Sequence, residues 1–429
     1  MVTLLIRVAL AGASVSMAAA AIAADGERHS WMLDVAIGYP ATSSDLAPWT
    51  ESGNGKLRFA DDGGLAGNHF AAEYHGRIVN TLSVKTVFDY ADDASTGLDV
   101  TEAYLDWHPV PKTVNQHTFR FGAFYPPFSL ENSDVGWGSP FSTSWSTINT
   151  WLGEEIRPIG AEWRVRRRVG FAGSPHELSA FVSGFYGNDP AGTLLFWRGF
   201  ALHDRQTRLN DTLPMPPMPV FGAGGIVVGT RPQSVEPFEE IDDEPGYYAG
   251  VEWRYARRAL LQLAVYDNRA DPDSFREGQW GWKTSFSHIG AQVDLPAGLG
   301  LMAQWMAGET YWLIGVTPTG MRTSATALVE DEFDASFVML TKRLAAAHRV
   351  SARYDTFDFR RDSMNLTIDS GHAWTLAYQY EATSSLALAF EWLTIESTRD
   401  LWPMFYGLPR EATERQLRLK LAYRLPSNR

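Results

Sequence analysis

Cysteine is absent from all 429 residues, so neither a disulfide framework nor a thiolate metal site can be built. Basic residues are in deficit: 37 Lys and Arg stand against 50 Asp and Glu, a formal charge of −13, which leaves a nucleic-acid partner without electrostatic support. Long apolar runs are missing too. Beyond residue 24 no window reaches the roughly 20 apolar residues that a membrane helix requires, so any crossing of a bilayer must be made by strands closed into a barrel. Signatures of catalysis are equally scarce. His176-Glu177 lacks the second histidine of a zinc-protease helix, the Gly-rich stretch from Gly222 to Thr230 lacks the lysine of a phosphate-binding loop, and no G-x-S-x-G occurs. The reading is a non-enzyme that needs no cofactor and no metal.

What the chain does contain begins with a leader. Arg7 supplies a positive start, Val8 to Ile22 is apolar, and Ala21-Ile22-Ala23 is a small-x-small cleavage pattern. This predicts a cleaved signal peptide over 1–24 and one exported domain over 25–429. Aromatic residues make up 13%, with 16 Trp, 16 Tyr and 23 Phe, more than one soluble core uses and suited to two girdles of rings at membrane interfaces.

The dominant pattern is alternation with a period of two. Phe119, Phe121 and Ala123 share one face with Arg120 on the other, and Ala161, Trp163 and Val165 alternate with Glu162, Arg164 and Arg166. Val251 and Trp253 likewise oppose Glu252 and Arg254, and near the C-terminus Leu417, Leu419 and Leu421 oppose Arg418 and Lys420. The greasy set is continuous and the other set is charged, the reverse of a soluble sheet packed on a dry core. An arginine facing lipid at mid-bilayer costs roughly 2 to 4 kcal/mol, so these charges must point inward if the strands span. The expected fold is all-β, a transmembrane antiparallel β-barrel of about sixteen strands. Such a count leaves a lumen that wall side chains alone do not fill, which implies a water-filled channel for passive diffusion of small hydrophilic solutes.

Connections support the same fold. Long loops (Pro40 to Gly67, Pro126 to Arg157, Asp189 to Pro245, Glu309 to Glu332, Ser397 to Ala412) follow odd strands, whereas connections after even strands are tight, as short periplasmic turns and long outer loops require. The third outer loop, 126–157, is long enough to fold into the lumen and constrict it. The loop 189–245 carries an apolar piece, Leu194 to Leu202, read as a short helix because its residues do not alternate. Within the constriction loop Glu131 and Asp134 either oppose a basic wall, creating a transverse field, or fasten the loop to that wall; Trp137, Trp145 and Trp151 are read as holding the loop in place. The residues expected to line the path are Arg120, Glu131, Asp134, Trp137, Glu162, Arg164, Arg166, Glu252, Arg254, Arg418 and Lys420. Acidic runs at Glu239 to Glu244 and Asp267 to Asp273 read as solvated loops able to attract divalent cations that bridge surface lipopolysaccharide, and His69 and His75 share an inward face.

RFGAFYPPFSLEN at Arg120 to Asn132, IGAEW at Ile159 to Trp163 and FYGNDPAG at Phe185 to Gly192 resemble the phosphate-selective porin O and P family. That resemblance implies a homotrimer of sixteen-stranded barrels in the outer membrane of a Gram-negative bacterium, in contact with lipid and lipopolysaccharide, whose third outer loop enters the lumen. It also implies anions as solutes. Arg120 and the arginines near Glu162 suit an anion path, but Glu102, Asp106, Glu162 and Glu252 point inward as well, so phosphate preference does not follow for this chain. Two other readings stand beside the channel: a plugged barrel of structural or adhesive role, and an outer-membrane barrel enzyme such as a lipase, for which no suitable Ser and His face the lipid.

Overall fold

In the computed structural model, residues 29–60, 64–170, 174–217, 234–316 and 322–425 are described. The expected leader and the Gly-rich stretch 222–230 lie outside them. Sixteen strands form one closed antiparallel barrel: β1 (His29–Ser43), β2 (Ala66–Val79), β3 (Leu82–Ala91), β4 (Asp99–Trp107), β5 (Asn115–Ala123), β6 (Ile159–Arg168), β7 (His176–Tyr186), β8 (Gly246–Tyr255), β9 (Ala259–Asp267), β10 (Lys283–Leu295), β11 (Leu299–Val316), β12 (Arg322–Ala345), β13 (His348–Arg361), β14 (Leu366–Glu381), β15 (Leu386–Thr398) and β16 (Glu411–Leu425). Every strand pairs with its sequence neighbours, and β1 closes the sheet on β16 from Leu33↔Leu425 to Ser43↔Arg415. Closure leaves no backbone N–H or C=O row facing hydrocarbon, where each orphan would cost several kcal/mol.

Side chains divide as the alternation requires. Leu417 and Leu419 are 44% and 51% exposed on the outer surface while Arg418 between them is 2% exposed inside. Trp107, Trp163, Trp305 and Trp374 also stand on the outer face. The turn end of the barrel is made by short connections such as Asn80-Thr81, the turn Pro296–Gly298 and Ala346-Ala347. Long loops lie at the other end.

Two boundaries differ from the pattern in the sequence. The loop expected from Glu309 to Glu332 is largely strand, because β11 and β12 continue their ladder through Glu309↔Glu332, Thr310↔Asp331 and Tyr311↔Glu330. Past the lipid, outward charges such as Glu330 and Glu332 meet water and the inward Asp331 is paired with Arg361, so hydrophobic alternation ceases while backbone pairing persists. Conversely, the tenth strand starts at Lys283, not at Gln279, since Gln279-Trp280 pairs back on Phe275-Arg276 as a separate small hairpin.

The lumen is where the structure departs most from an open pipe. Inward positions of β7 to β13 carry a cluster of apolar side chains, among them Phe181, Tyr248, Tyr266, Phe286, Met306, Phe333, Phe337 and Phe357. They form a dry core with Phe128, Trp151, Leu152, Leu195 and Phe200 from two loops folded into the barrel. Wall side chains do not fill a sixteen-stranded lumen; here two inserted loops occupy part of it.

Candidate functional site

The third outer loop leaves the wall through Gly122, whose φ of +135° and 2.2 Å separation between a built Cβ and the Ala103 carbonyl oxygen admit only glycine. The loop is fastened by charges of the wall. Glu131 accepts from the Arg353 guanidinium at 2.6 Å and from Ser146 N and Asn149 Nδ2, both at 2.9 Å. Arg353 also pairs with Asp355 at 2.8 Å and donates to the Trp145 carbonyl at 2.8 Å. The helix α1 (Thr147–Glu155) follows, with Ser146 as its N-cap and Thr147 N donating to Asp355 at 3.1 Å. Glu391 of β15 accepts from the backbone of Thr143 and Ser144. Buried charges are tolerated because each carboxylate meets several donors.

The loop between β7 and β8 forms a second inserted layer on top of α1. Its short helix α2 (Thr193–Arg198) overlaps the first half of the apolar piece expected to be helical, Leu194 to Leu202. Arg198 clamps Glu154 with two bonds of 2.6 and 2.7 Å, and His203 reaches the same carboxylate at 2.7 Å, so the Glu154 carboxyl is held down to about 2. Its neighbour Glu155 has only N–H donors, Trp151 Nε1 at 2.7 Å and Leu194 N at 3.0 Å; burial dominates and pushes it up to about 7. Gly199, with φ +81°, lets Phe200 N reach Asp369 at 2.9 Å, where Lys56 Nζ also binds at 2.6 Å. Asp204 joins Arg58 of the first outer loop at 2.7 Å to Arg418 of β16 at 2.8 Å.

The residues read from sequence as path-lining thus fall into three places. Glu131 and Trp137 belong to the loop anchor: Trp137 stacks on Tyr125 with centroids 4.0 Å apart and meets Trp145 edge-on at 5.0 Å. Arg418 is buried against Asp204, while Asp134 and Lys420 border a narrow gap between the loop and the β1/β16 wall. There Arg424 holds Asp34 at 2.7 Å and Asp134 at 2.6 Å. This gap has a volume of about 30 Å³, room for one or two waters. His69 and His75 each contact a separate carboxylate, Asp89 and Glu73, at 2.6 Å.

The third group runs down the wall from Arg120 and Glu162 to the turn end. Arg120 lies over the Tyr104 ring at 4.6 Å, in register with Glu162, which accepts from Tyr248 at 2.8 Å. Below them a cavity of about 620 Å³ is walled by Arg164, Arg166, Arg168, Arg254 and Arg257, against two carboxylates, Glu177 and Glu252. Arg254 binds Glu252 at 2.5 Å and Arg166 binds Gln116 at 2.6 Å, leaving the sector with a cationic surplus. Arg168, Arg257, Arg353, Asp355 and Asp204 were not singled out from sequence. The first continues the inward face of Arg164 and Arg166 and was readable; the pairing of Arg353 with Glu131, 222 residues apart, was not.

No family model matches the chain, and no curated protein matches it by sequence. Among solved structures it is similar to the outer membrane channel DcaP of Acinetobacter baumannii, with TM-score 0.51 and 11% identity over 92% of this chain and 96% of that one. The anion-selective porin from Comamonas acidovorans gives TM-score 0.51 at 10% identity over 92% and 99% of the two chains. OmpT of Vibrio cholerae lacking loop L8 gives 0.50 at 10% identity over the same shares. At such identities the likeness is one of fold: a sixteen-stranded porin-type barrel. Its apolar belt and closed sheet make it a transmembrane barrel of the Gram-negative outer membrane.

Proposed function

We propose that this chain is an outer-membrane channel of the porin class, narrowed by its own inserted loops and carrying small solutes, with a preference for anions set at its inner mouth. The observation that carries the reading is the arginine-walled cavity at the turn end, the periplasmic side by loop length. Field lines focused by a cationic mouth raise the local anion concentration. Conduction then needs binding weak enough for release, and the exposed, partly paired arginines suit it better than buried ones would. The fold is shared with a protein named an anion-selective porin and another named an outer membrane channel, which supports the class. A homotrimer, implied by the resemblance in sequence, belongs to the same proposal.

The packed layer at mid-barrel supports a second reading, a sealed barrel with a structural role. Planar-bilayer recording of the refolded protein separates the two. The channel reading expects small discrete steps and a reversal potential in asymmetric KCl on the chloride side, moved toward potassium when Arg164 and Arg254 are replaced by Glu. Folded protein without steps at any voltage overturns it in favour of the sealed barrel. Cross-linking before heating on gels tests the trimer.

A further inference from the structure

The search of the molecule outside the lumen leads to three carboxylates at the outer end. Asp189, Glu240 and Asp242 each offer an oxygen within 4.8 Å of the other two. They sit where the inserted segment leaves β7 and where it returns to β8, so the cluster joins its two ends. Backbone amides orient them: Ile241 N donates to Asp189 Oδ2 at 2.5 Å, Gly187 N to Glu240 Oε2 at 2.6 Å, and Glu244 N to Asp242 Oδ1 at 2.8 Å. Asp271 N, from the loop after β9, also donates to Asp242. What remains is unusual. Asp189 is 1% exposed, and its Oδ1 has no hydrogen-bond partner among the described residues; nor has Glu240 Oε1, also buried. The nearest cation bonded to the cluster, Arg276, donates to the main-chain oxygen of Glu240 at 3.3 Å and not to a carboxylate. Among the described residues no cation is bonded to these three converging carboxylates, unlike Asp204, Glu131 and Glu154, each of which holds an arginine.

We propose that Asp189, Glu240 and Asp242 form a divalent-cation site, with Ca²⁺ as the fitting ion, that clasps the two ends of the inserted segment at the outer rim. Oxygen ligands without nitrogen or sulfur select a hard cation. Ca²⁺ binds oxygen at about 2.4 Å, so two ligands of one ion stand no more than about 4.8 Å apart, and the three oxygens all lie within that limit of one another. Mg²⁺ demands a tighter octahedron and gives up its waters reluctantly, so it fits less well. Water completes the coordination. Three protein carboxylates at an extracellular face place the affinity in the range of about 0.1 to 1 mM typical of extracellular calcium modules.

The test uses the full chain in detergent, after chelation and dialysis, titrated with CaCl₂ by calorimetry and with Tb³⁺ by tryptophan-sensitised emission. Trp282, whose backbone N–H donates to the Asp189 carbonyl at 2.7 Å, is a nearby sensitiser. One saturable site is expected, weakened at least tenfold in Asp242→Asn and in Glu240→Gln, and unchanged in Glu244→Gln, an exposed neighbour outside the cluster. Thermal melts give an independent sign. Calcium raises the melting temperature of the parent chain but not of Glu240→Gln, whereas in chelator that variant melts no lower than the parent because a repulsion has been removed and the one bonded oxygen is kept. Absence of saturable binding overturns the proposal. So does equal affinity in parent and cluster variants, which means calcium binds elsewhere, and so does Glu240→Gln melting well below the parent in chelator, which means the carboxylate serves only as a backbone acceptor. Glu240→Gln keeps the acceptor for Gly187 N and so retains a folded comparison if Asp242→Asn does not refold. None of these outcomes depends on conduction.

Discussion

At the scale of the single residue, the interior is governed by whether a buried charge has found its partner. Asp204 lies between Arg58 and Arg418, and these cations hold its carboxyl far below the usual carboxylate range. Replacing it by Asn strands one guanidinium of β16 and weakens another, with an expected loss of about 3 to 5 kcal/mol in urea unfolding followed by tryptophan fluorescence. Glu155 is the opposite case. Burial, helped by the charge of Glu154, pushes its carboxyl up to about 7, against the pull of the Leu194 and Trp151 N–H groups. A folded pKa above the unfolded value of 4.5 means that the protonated group stabilises the fold at low pH, and that this stability is lost as pH rises through about 7. Melting temperatures therefore fall between pH 5 and pH 8, by an amount on the order of 3 kcal/mol in stability. Glu155→Gln is expected to flatten that slope, measured by far-UV circular dichroism across the pH series.

At the scale of the element, α1 is the piece on which the state of the lumen depends. Its position is set by Arg353 and Asp355 at the N-terminal end and by the Trp137/Trp145 pair alongside. A Cβ at Gly153 would come within 2.7 Å of Trp145 and 2.9 Å of Trp137. Gly153→Val therefore forces the helix off the tryptophan pair, at a cost of about 1 to 3 kcal/mol for overpacking. The barrel itself does not depend on this contact. Expected are an intact heat-modifiable barrel and larger or more frequent conductance steps; a variant that folds and conducts like the parent would mean that α1 does not limit the path.

At the scale of the whole molecule, the barrel is held to its orientation by the sorting of side chains between lipid and interior. Leu419, outward and near the middle of β16, tests this directly. Leu419→Arg is expected to cost roughly 2 to 4 kcal/mol in refolding titrations into lipid vesicles, since arginine at mid-bilayer must leave water. The same substitution at Arg415, exposed toward the outer rim of that strand, is already native and evidently tolerated. Depth, not the residue type alone, sets the penalty.

A count of about sixteen strands, their inward and outward faces, the parity of the loops and the presence of a short helix near Leu194 were determined by sequence alone; sixteen and not eighteen was decided by the closed ladder. Each is a local consequence of a two-residue period or of its interruption, and pairing in a meander follows chain order. What only tertiary structure decided is everything that depends on where a long loop ends up. Glu131 and Arg353, or Lys56 and Asp369, are far apart in the chain and carry no periodic signal of their meeting. Likewise Asp189 meets Glu240 and Asp242 only because both ends of one loop return to adjacent strands. Alternation tells which side of the wall a residue faces; it cannot tell whether water or a folded-back loop awaits it there, because a buried aromatic and a charged side chain both satisfy an inward position once a loop supplies the partner.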